Sequence, residues 1–479
     1  MFAERSKAIH DWAAKCPAKW KGKQPTFDES AAEMREFLGL GLLRHTSLRD
    51  EPEWFFEAHR AVALSEHNLG MGFWTRLTVQ FNLFAGTVLA VGGDEQVAQL
   101  DAMQEKQQLG CFGLTEKFAG VSSGLIVETL AEYDRASRQF VLRTPSEGAK
   151  KNWISQGLVA DKSVVIADLM IDGKSRGPHA FLIDFRTIVD GKKQLVSGIT
   201  LDDMGPKTAA NSLDNAWIHF DDVRVPETAL LNRYATIDAE GNYVTKQAGM
   251  FTMGMIGQRL FTGRVGVAQV ATLFGKRLFA HTKAYTDNKQ FNGPKGMRPP
   301  LSMLPQVMSL FSKAEAAFDY CERYNALVEA ELCDCLRKGK LPPPRLTDAI
   351  ATAKVRSVET CVTLCFKLKQ TVGAYALMEH SMFGLLDNMH VAKCAEGESC
   401  ILMAKMAGDR MKAGDVPNSG EEEQKLVAEL RQSSLTAESD KAFYLAELVM
   451  DRLMQQYLGQ PIPKGVGRTF ADDFHLSRL

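Results

Sequence analysis

The fold is decided by short apolar runs in the middle of the chain: Phe140-Val141-Leu142, Ser163-Val164-Val165-Ile166-Ala167, Ala180-Phe181-Leu182-Ile183 and Ala216-Trp217-Ile218-His219-Phe220. Each run is rich in apolar, mainly β-branched or aromatic residues, and Gly, Asp and Ser interrupt the chain between them. Runs of this kind, separated by turn-forming residues, are typical of β-strands. We therefore predict a compact antiparallel β domain over 111–226.

The sequence on both sides of this β region has helical periodicity. Before it, apolar residues recur at spacings of three and four in 31–38 and 54–64. After Pro226, the same periodicity predicts long helices over 250–286, 303–338, 346–375 and 396–412. The loop at Pro342-Pro343-Pro344 separates two of them, because proline is excluded from a helix interior.

This order predicts an α+β protein that is mainly α. It excludes folds in which strands and helices alternate. The predicted parts are an N-terminal helical domain over 1–110, a central β domain over 111–226, a C-terminal helical bundle over 227–470 and a tail over 471–479.

The composition excludes several classes of protein. The 479 residues are 45% hydrophobic and 24% charged, as in ordinary globular proteins. With 57 Lys and Arg against 58 Asp and Glu, the chain has no long-range attraction for nucleic acid. No run of apolar residues is long enough to predict a membrane span. The polar N-terminus lacks the pattern of a presequence, so we expect the mature protein to begin near Met1.

The nine cysteines are scattered along the chain. An odd number without a signal peptide is typical of a reducing compartment, so we expect free thiols. Cys333 and Cys335, like Cys361 and Cys365, lie in apolar helical segments without histidine at ligand spacing, and we expect no metal site.

Segments in four parts of the chain, taken together, indicate the chemistry of the protein. They are Gly110-Cys111-Phe112-Gly113-Leu114-Thr115-Glu116, Lys151-Asn152-Trp153-Ile154-Ser155, Met204-Gly205-x-Lys207 with Leu213-Asp214-Asn215-Ala216, and Ala395-Glu396-Gly397-Glu398-Ser399. In this order and spacing the chain resembles the flavin-dependent acyl-CoA oxidase and acyl-CoA dehydrogenase superfamily, and the oxidase branch more closely. The resemblance implies an acyl-CoA dehydrogenase-like fold, which agrees with the α–β–α order found independently.

The resemblance implies a reaction as well as a fold. Family members use FAD to desaturate an acyl-CoA thioester between Cα and Cβ, and an oxidase gives trans-2-enoyl-CoA with oxygen as the electron acceptor in fatty acid β-oxidation. The chemistry needs a base for the α proton and an acceptor for the β hydride. By resemblance the base is Glu396, and Gly397 allows close backbone approach. Taken alone, Glu396 is more simply explained as a solvated residue at a helix start.

The resemblance also assigns the residues around the flavin. It places Thr115 and the backbone of Leu114 at the pyrimidine edge, Ser155 beside N5 and Trp153 against the isoalloxazine ring. A hydroxyl suits a ring nitrogen that both accepts and donates hydrogen bonds, and an indole supplies an apolar face. Without the family, Trp153 is expected to be a core aromatic and Ser155 an ordinary strand residue.

Three further residues are assigned in the same way. Gln290 and Phe291 match a family segment that completes the FAD site of the neighbouring subunit, which implies a homodimer or a dimer-based tetramer. Arg264 matches a family arginine near the acyl-CoA channel, whereas a lone helical arginine is ordinarily a surface residue.

The chain departs from the family pattern on the phosphate and adenine side of the cofactor. Phe118 stands where glycine is usual, Val121 where serine is usual and Asn288 where arginine is usual, and the glycine motif is reduced to Gly373-Ala374. We therefore expect FAD to be held weakly. Two alternatives stay open: a dehydrogenase that passes electrons to a flavoprotein, which the length of the chain favours, and a non-catalytic family member that has lost FAD.

The chain ends in Ser477-Arg478-Leu479, a close variant of the Ser-Lys-Leu peroxisomal address that an import receptor recognises. We expect localisation in the peroxisome or a related organelle such as the glycosome. The usual acceptor for this chemistry in such organelles is oxygen, which favours an oxidase.

Overall fold

The computed structural model describes residues 2–19, 24–65, 69–121, 123–246, 252–378, 381–414, 416–432 and 439–468. The chain forms two compact units, Met1–Leu260 with Cys335–Leu341, and Phe261–Asp334 with Pro342–Leu479. The domain boundaries expected at 110, 226 and 470 stay a prediction.

The first unit opens with helices. These are α1 (Phe2–Ala13), α2 (Phe27–Leu40), α3 (Ser47–Asp50), α4 (Pro52–Leu64), α5 (Met71–Thr78), α6 (Ala85–Val91) and α7 (Asp94–Glu105). The N-terminus of α2 is fixed by a capping box, in which Glu29 N–H donates to Thr26 Oγ1 at 3.2 Å and Thr26 N–H donates to Glu29 Oε2 at 2.7 Å. The helices predicted over 31–38 and 54–64 are confirmed as parts of α2 and α4.

The β region of the first unit contains a six-stranded sheet, a three-stranded sheet and two hairpins. The six strands are β1 (Gly110–Gly113), β2 (Leu130–Asp134), β3 (Gln139–Arg143), β5 (Lys162–Ile171), β6 (Lys174–Asp184) and β11 (Val223–Pro226). The three are β4 (Lys151–Ser155), β9 (Ile199–Asp203) and β10 (Asn215–Phe220), and the hairpins are β7 (Arg186–Val189) with β8 (Lys192–Leu195) and β12 (Ala235–Ile237) with β13 (Tyr243–Thr245). All four runs predicted as strands are confirmed.

One feature of the β region corrects the sequence prediction. Most pairings are antiparallel, but β5 pairs in parallel with both β1 and β2. Parallel strands need a connection of a dozen or more residues, and the chain between β1 and β5 is long enough to return in the same direction. The sheet is therefore mixed, and the expectation of a purely antiparallel domain is wrong in this respect.

The second unit is helical. Its helices are α8 (Thr252–Asp287, from residue 261 onward), α9 (Pro305–Arg337, up to residue 334), α10 (Pro344–Val372), α11 (Asp387–Cys394), α12 (Ser399–Lys412), α13 (Glu421–Gln432) and α14 (Ser439–Leu458). Apolar side chains of α10, α12, α13 and α14 form one buried cluster. The predicted long helices are confirmed, but the last begins at Ser399, so Glu396 lies before it in a loop.

Three features that the sequence predicts to be absent can be compared with the described part of the chain. The nine cysteines all lie within the described ranges, and none of them forms a disulfide bond there. Across the described ranges, no group of three or more His, Cys, Asp or Glu side chains is arranged to hold a metal ion. Within the same ranges, no helix combines the length and the apolar character that crossing a membrane requires.

Candidate active site

Glu396 lies in a sharp turn between α11 and α12. Its φ angle is +59°, and that of the following Gly397 is +100°. The left-handed region costs a residue with a side chain about 1–2 kcal/mol, whereas glycine adopts it readily. A strained non-glycine residue held by its surroundings is typical of functional sites.

The carboxyl group of Glu396 packs against the backbone of α8. A Cβ atom built on Gly263 would lie 2.3 Å from Glu396 Cδ and 2.4 Å from Oε1, so only glycine leaves room for this side chain. The other carboxyl oxygen, Oε2, is buried and has no hydrogen-bond partner among the described residues. An unsatisfied buried carboxylate oxygen is unusual in a folded protein.

The environment of Glu396 tunes its acidity. Burial raises the pKa of its carboxyl to about 7, and the positive charges of Arg264 and Lys354 oppose that shift. A general base is most effective when its pKa lies near the working pH. Glu396 is therefore suited to accept a proton near neutral pH.

Two buried cations hold the backbone of this turn. Arg264 is 9% exposed, and its Nε–H donates to the carbonyl oxygen of Glu396 at 2.8 Å. Lys354 is fully buried, and its Nζ donates to the carbonyl oxygens of Lys393 at 2.6 Å and Gly397 at 2.9 Å. Arg264 is therefore no surface residue. Its assignment to an acyl-CoA channel stays a prediction.

Glu398, two residues further on, has a different role. It is the N-cap of α12, and its carboxylate accepts a hydrogen bond from Cys400 N–H at 2.7 Å. A capping carboxylate satisfies a backbone donor that the helix itself cannot satisfy. The structure thus separates a structural glutamate from one whose carboxyl group is buried and unpaired.

The residues assigned to the flavin ring by resemblance lie in the first unit. Leu114 and Thr115 follow β1, and Asn152 N–H of β4 donates to the Thr115 carbonyl at 2.9 Å. Lys151 and Glu116 form a fully buried ion pair that sequence analysis missed, with 2.8 Å between Lys151 Nζ and Glu116 Oε1. Lys151 also donates to the Leu114 carbonyl at 3.2 Å. This pair ties the loop after β1 to the strand that carries Trp153 and Ser155.

Trp153 and Ser155 are displayed by β4. Trp153 has a φ angle of +59° and is 56% exposed, so it is not the core aromatic expected without the family resemblance. Asn215, opposite Ser155 in β10, donates from Nδ2 to Ser155 Oγ at 3.1 Å. The serine hydroxyl accepts in that contact, so its own proton can be donated elsewhere.

Gln290 and Phe291 follow α8 in the second unit. Phe291 N–H donates to the Pro299 carbonyl at 3.0 Å, and Gln290 forms an isolated antiparallel β-bridge with Pro300. Asn288 donates from Nδ2 to the Ala284 carbonyl at 2.8 Å and so caps the end of α8. Gln290 is exposed to solvent. Its role toward a neighbouring subunit stays a prediction.

Two curated proteins that are similar to this chain are named acyl-coenzyme A oxidases. Acyl-coenzyme A oxidase 2 of Yarrowia lipolytica is 30% identical over 378 residues, 74% of this chain and 52% of that protein. Peroxisomal acyl-coenzyme A oxidase 2 of Arabidopsis thaliana is 26% identical over 407 residues, 78% of this chain and 56% of its own. No family model matches the chain.

Solved structures show the same fold at low sequence identity. Acyl-CoA oxidase-2 of Caenorhabditis elegans, bound with FAD, ascaroside-CoA and ATP, superposes with a TM-score of 0.76 at 19% identity and covers 95% of this chain and 76% of its own. Butyryl-CoA dehydrogenase of Megasphaera elsdenii gives 0.64 at 19% identity, over 85% and 97%.

These likenesses fix the class of the protein. The chain belongs to the acyl-CoA oxidase and acyl-CoA dehydrogenase superfamily, as a divergent member. It spans about half the length of the curated relatives that it matches, 52% and 56% for the two described above.

Proposed function

We propose that this protein is an FAD-dependent acyl-CoA oxidase that converts acyl-CoA thioesters to trans-2-enoyl-CoA. The observation that carries the proposal is Glu396, whose buried Oε2 atom lacks a partner among the described residues and whose pKa lies near 7. The names of the relatives support the same chemistry.

The residues present fit FAD. Ser155 has a hydroxyl proton to offer a ring nitrogen because Asn215 already donates to its oxygen. Trp153 presents an exposed indole, which an apolar ring system can cover. When bound, FAD would supply the acceptor for the β hydride, and in an oxidase oxygen would be the final electron acceptor, reduced to hydrogen peroxide.

The protein's own part in the reaction is to hold and accept a proton. Glu396 Oε2 makes no internal hydrogen bond in the described structure, so it can face the α proton of a thioester. Burial makes its carboxylate a stronger base than in water, while Arg264 and Lys354 keep part of it ionised near neutral pH. Arg264 donates its Nε–H to the main chain, which holds the turn and leaves Oε2 unpaired.

The test is anaerobic stopped-flow reduction of the bound flavin by a panel of acyl-CoA thioesters. Glu396→Gln keeps the size of the side chain but cannot accept the proton, so we expect acyl-CoA to bind and reduction to slow about 10²- to 10⁴-fold. Glu398→Gln is the matched control and should slow it far less. Equal slowing by both variants, or none by Glu396→Gln, contradicts the assignment.

Reoxidation identifies the electron acceptor. In an oxidase, air restores the reduced flavin and produces one peroxide for each enoyl-CoA. Flavin that stays reduced in air but is reoxidised by an electron-transfer flavoprotein identifies a dehydrogenase. Wild-type protein that binds FAD and acyl-CoA but is reduced by no chain length identifies a non-catalytic family member.

We also propose a homodimer or dimer-based tetramer, because the matched segment at Gln290-Phe291 belongs to a neighbouring subunit's FAD site in the family. A symmetric pair is the common solution for soluble oligomers. Light scattering at micromolar concentration should give a multiple of the chain mass. A monomer with stoichiometric FAD contradicts the proposal.

Localisation is proposed to be peroxisomal, or in a related organelle. The C-terminal Ser477-Arg478-Leu479 supports it and lies outside the described residues. The similar Arabidopsis thaliana protein is named peroxisomal. Deleting these three residues should leave a tagged protein in the cytosol, and unchanged organelle localisation would refute the role of this tripeptide.

A further inference from the structure

Lys354 joins the two ends of the turn that displays Glu396. From α10, its Nζ donates to the carbonyl oxygen of Lys393 at 2.6 Å and to that of Gly397 at 2.9 Å. Lys393 is the penultimate residue of α11, where carbonyl groups lack partners within the helix. Gly397 directly follows Glu396. One ammonium group therefore binds the backbone on both sides of Glu396.

Burying a lysine without a directly bound carboxylate is costly. Lys354 is fully buried, and both of its hydrogen bonds in the described structure go to backbone carbonyls. An apolar side chain would fill the same space without this desolvation penalty. The presence of a buried lysine at this position is explained by a requirement for its positive charge or for these two hydrogen bonds.

The charges around Lys354 come from each neighbouring element. Glu398, Glu359 and Cys394 favour its charged form, whereas Arg264 on α8 opposes it. Burial outweighs these charges and lowers the pKa of Lys354 to about 8. Glu359 itself is engaged by Lys393, with 3.2 Å between Nζ and Oε1. Lys354 is therefore still largely charged at neutral pH, and its charge acts on the Glu396 carboxylate.

The turn needs such an external restraint because its backbone is strained at Glu396. Arg264 fixes the carbonyl of Glu396, and Lys354 fixes that of Gly397. Two consecutive peptide groups are thus held from two different helices. Loss of either contact would let the turn relax.

We propose that Lys354 is the positioning residue of the catalytic base: its ammonium holds the left-handed Glu396-Gly397 turn and favours the ionised Glu396 carboxylate. The catalytic role of Glu396 rests on the proposed function. The effect on the conformation and ionisation of Glu396 does not depend on it.

The first test is infrared difference spectroscopy of the protonated Glu396 carboxyl during a pH titration, with Glu396→Gln identifying the band by its disappearance. Lys354→Met removes the charge and both donors, so the midpoint should rise by about one pH unit. Lys354→Gln keeps amide donors without charge and should also raise the midpoint, which covers the case that Lys354→Met does not fold. Lys354→Arg should keep the wild-type midpoint.

The second test measures flavin reduction and acyl-CoA binding separately in the same variants. A midpoint shift of one unit lowers the ionised fraction of Glu396 at pH 7 about fivefold, and reduction should slow at least that much while the acyl-CoA Kd stays within about twofold. A purely structural lysine would lower the melting temperature without moving the titration.

An unchanged midpoint in both Lys354→Met and Lys354→Gln overturns the inference. Failure of the wild-type flavin to be reduced overturns the proposed function instead, because the infrared titration still tests Lys354.

Discussion

Gly263 and Glu396 are in direct contact, such that a Cβ at position 263 would lie 2.3 Å from the Glu396 carboxyl carbon. The glycine lies inside α8, where alanine would ordinarily make a helix more stable by about 1 kcal/mol. The protein thus has glycine at a helical position whose replacement would displace the carboxyl group. A substitution at Gly263 is therefore expected to lower activity without lowering the stability of the protein.

Gly263→Ala is expected to impair catalysis without unfolding the protein. The new methyl group displaces the Glu396 carboxyl, and a displacement of about 1 Å at a reacting group can cost about 10²-fold in rate. Flavin reduction and the melting temperature should be measured together. The control is Gly257→Ala in the same helix, where an added Cβ meets no atom of the described residues within 4 Å. Wild-type reduction by Gly263→Ala would show that the contact is dispensable.

Glu396 should make the stability of the protein depend on pH. Its pKa is raised from 4.5 to about 7 on folding, so the folded state binds more protons than the unfolded state between these values. The free energy of unfolding therefore falls as pH rises from about 4.5 to 7, by at most about 3 kcal/mol for this group. Denaturant titrations of wild type and Glu396→Gln across this range should show a smaller decline in the variant. Parallel curves would mean that the carboxyl is not perturbed.

The buried pair of Glu116 and Lys151 is expected to be essential for the loop after β1. Besides Lys151, Glu116 accepts hydrogen bonds from Thr129 Oγ1 at 2.7 Å, Thr129 N–H at 3.0 Å and Glu128 N–H at 2.8 Å. Glu116→Gln leaves a buried ammonium without its counter-charge, which typically costs about 3–5 kcal/mol. Urea unfolding should show this loss, together with a lower FAD content.

The matched control for that pair is Glu147→Gln. Glu147 pairs with Lys117 at the exposed surface, at 2.5 Å, and surface ion pairs contribute little. Its urea midpoint should stay near that of wild type. Equal effects of the two substitutions would contradict a special role for the buried pair.

FAD is expected to be held weakly, and Asn288→Arg should strengthen binding. An arginine there restores a charge-assisted contact to the cofactor diphosphate, worth about 1.5–3 kcal/mol, or about ten- to a hundredfold in Kd. Asn288 is exposed at the end of α8, where a cation also suits the helix dipole. FAD retained after dialysis measures the effect, with Asn288→Gln as the uncharged control. Stoichiometric FAD in wild type after prolonged dialysis would contradict weak binding.

Several features could be predicted from the sequence because they depend on residues close together in the chain. Short apolar runs bounded by turn-forming residues located the strands at 163–167 and 216–220, and helical periodicity located the long helices of the second unit. The segments around Trp153 and Glu396 pointed to the superfamily because their motifs are short and contiguous. Turn-forming residues, helical periodicity and short motifs are properties of contiguous residues, so they can be recognised without reference to the rest of the molecule.

Only the tertiary structure decided how each residue is used. Glu396 and Glu398 differ little as sequence, yet one is buried against Gly263 from a distant helix and the other caps α12. Burial raises the pKa of Glu396, and the charge of Arg264, 132 residues away in sequence, opposes that shift; both effects depend on segments that only the fold brings together. The parallel pairing of β5 and the position of Lys354 likewise arise from contacts between remote segments, which local patterns do not specify.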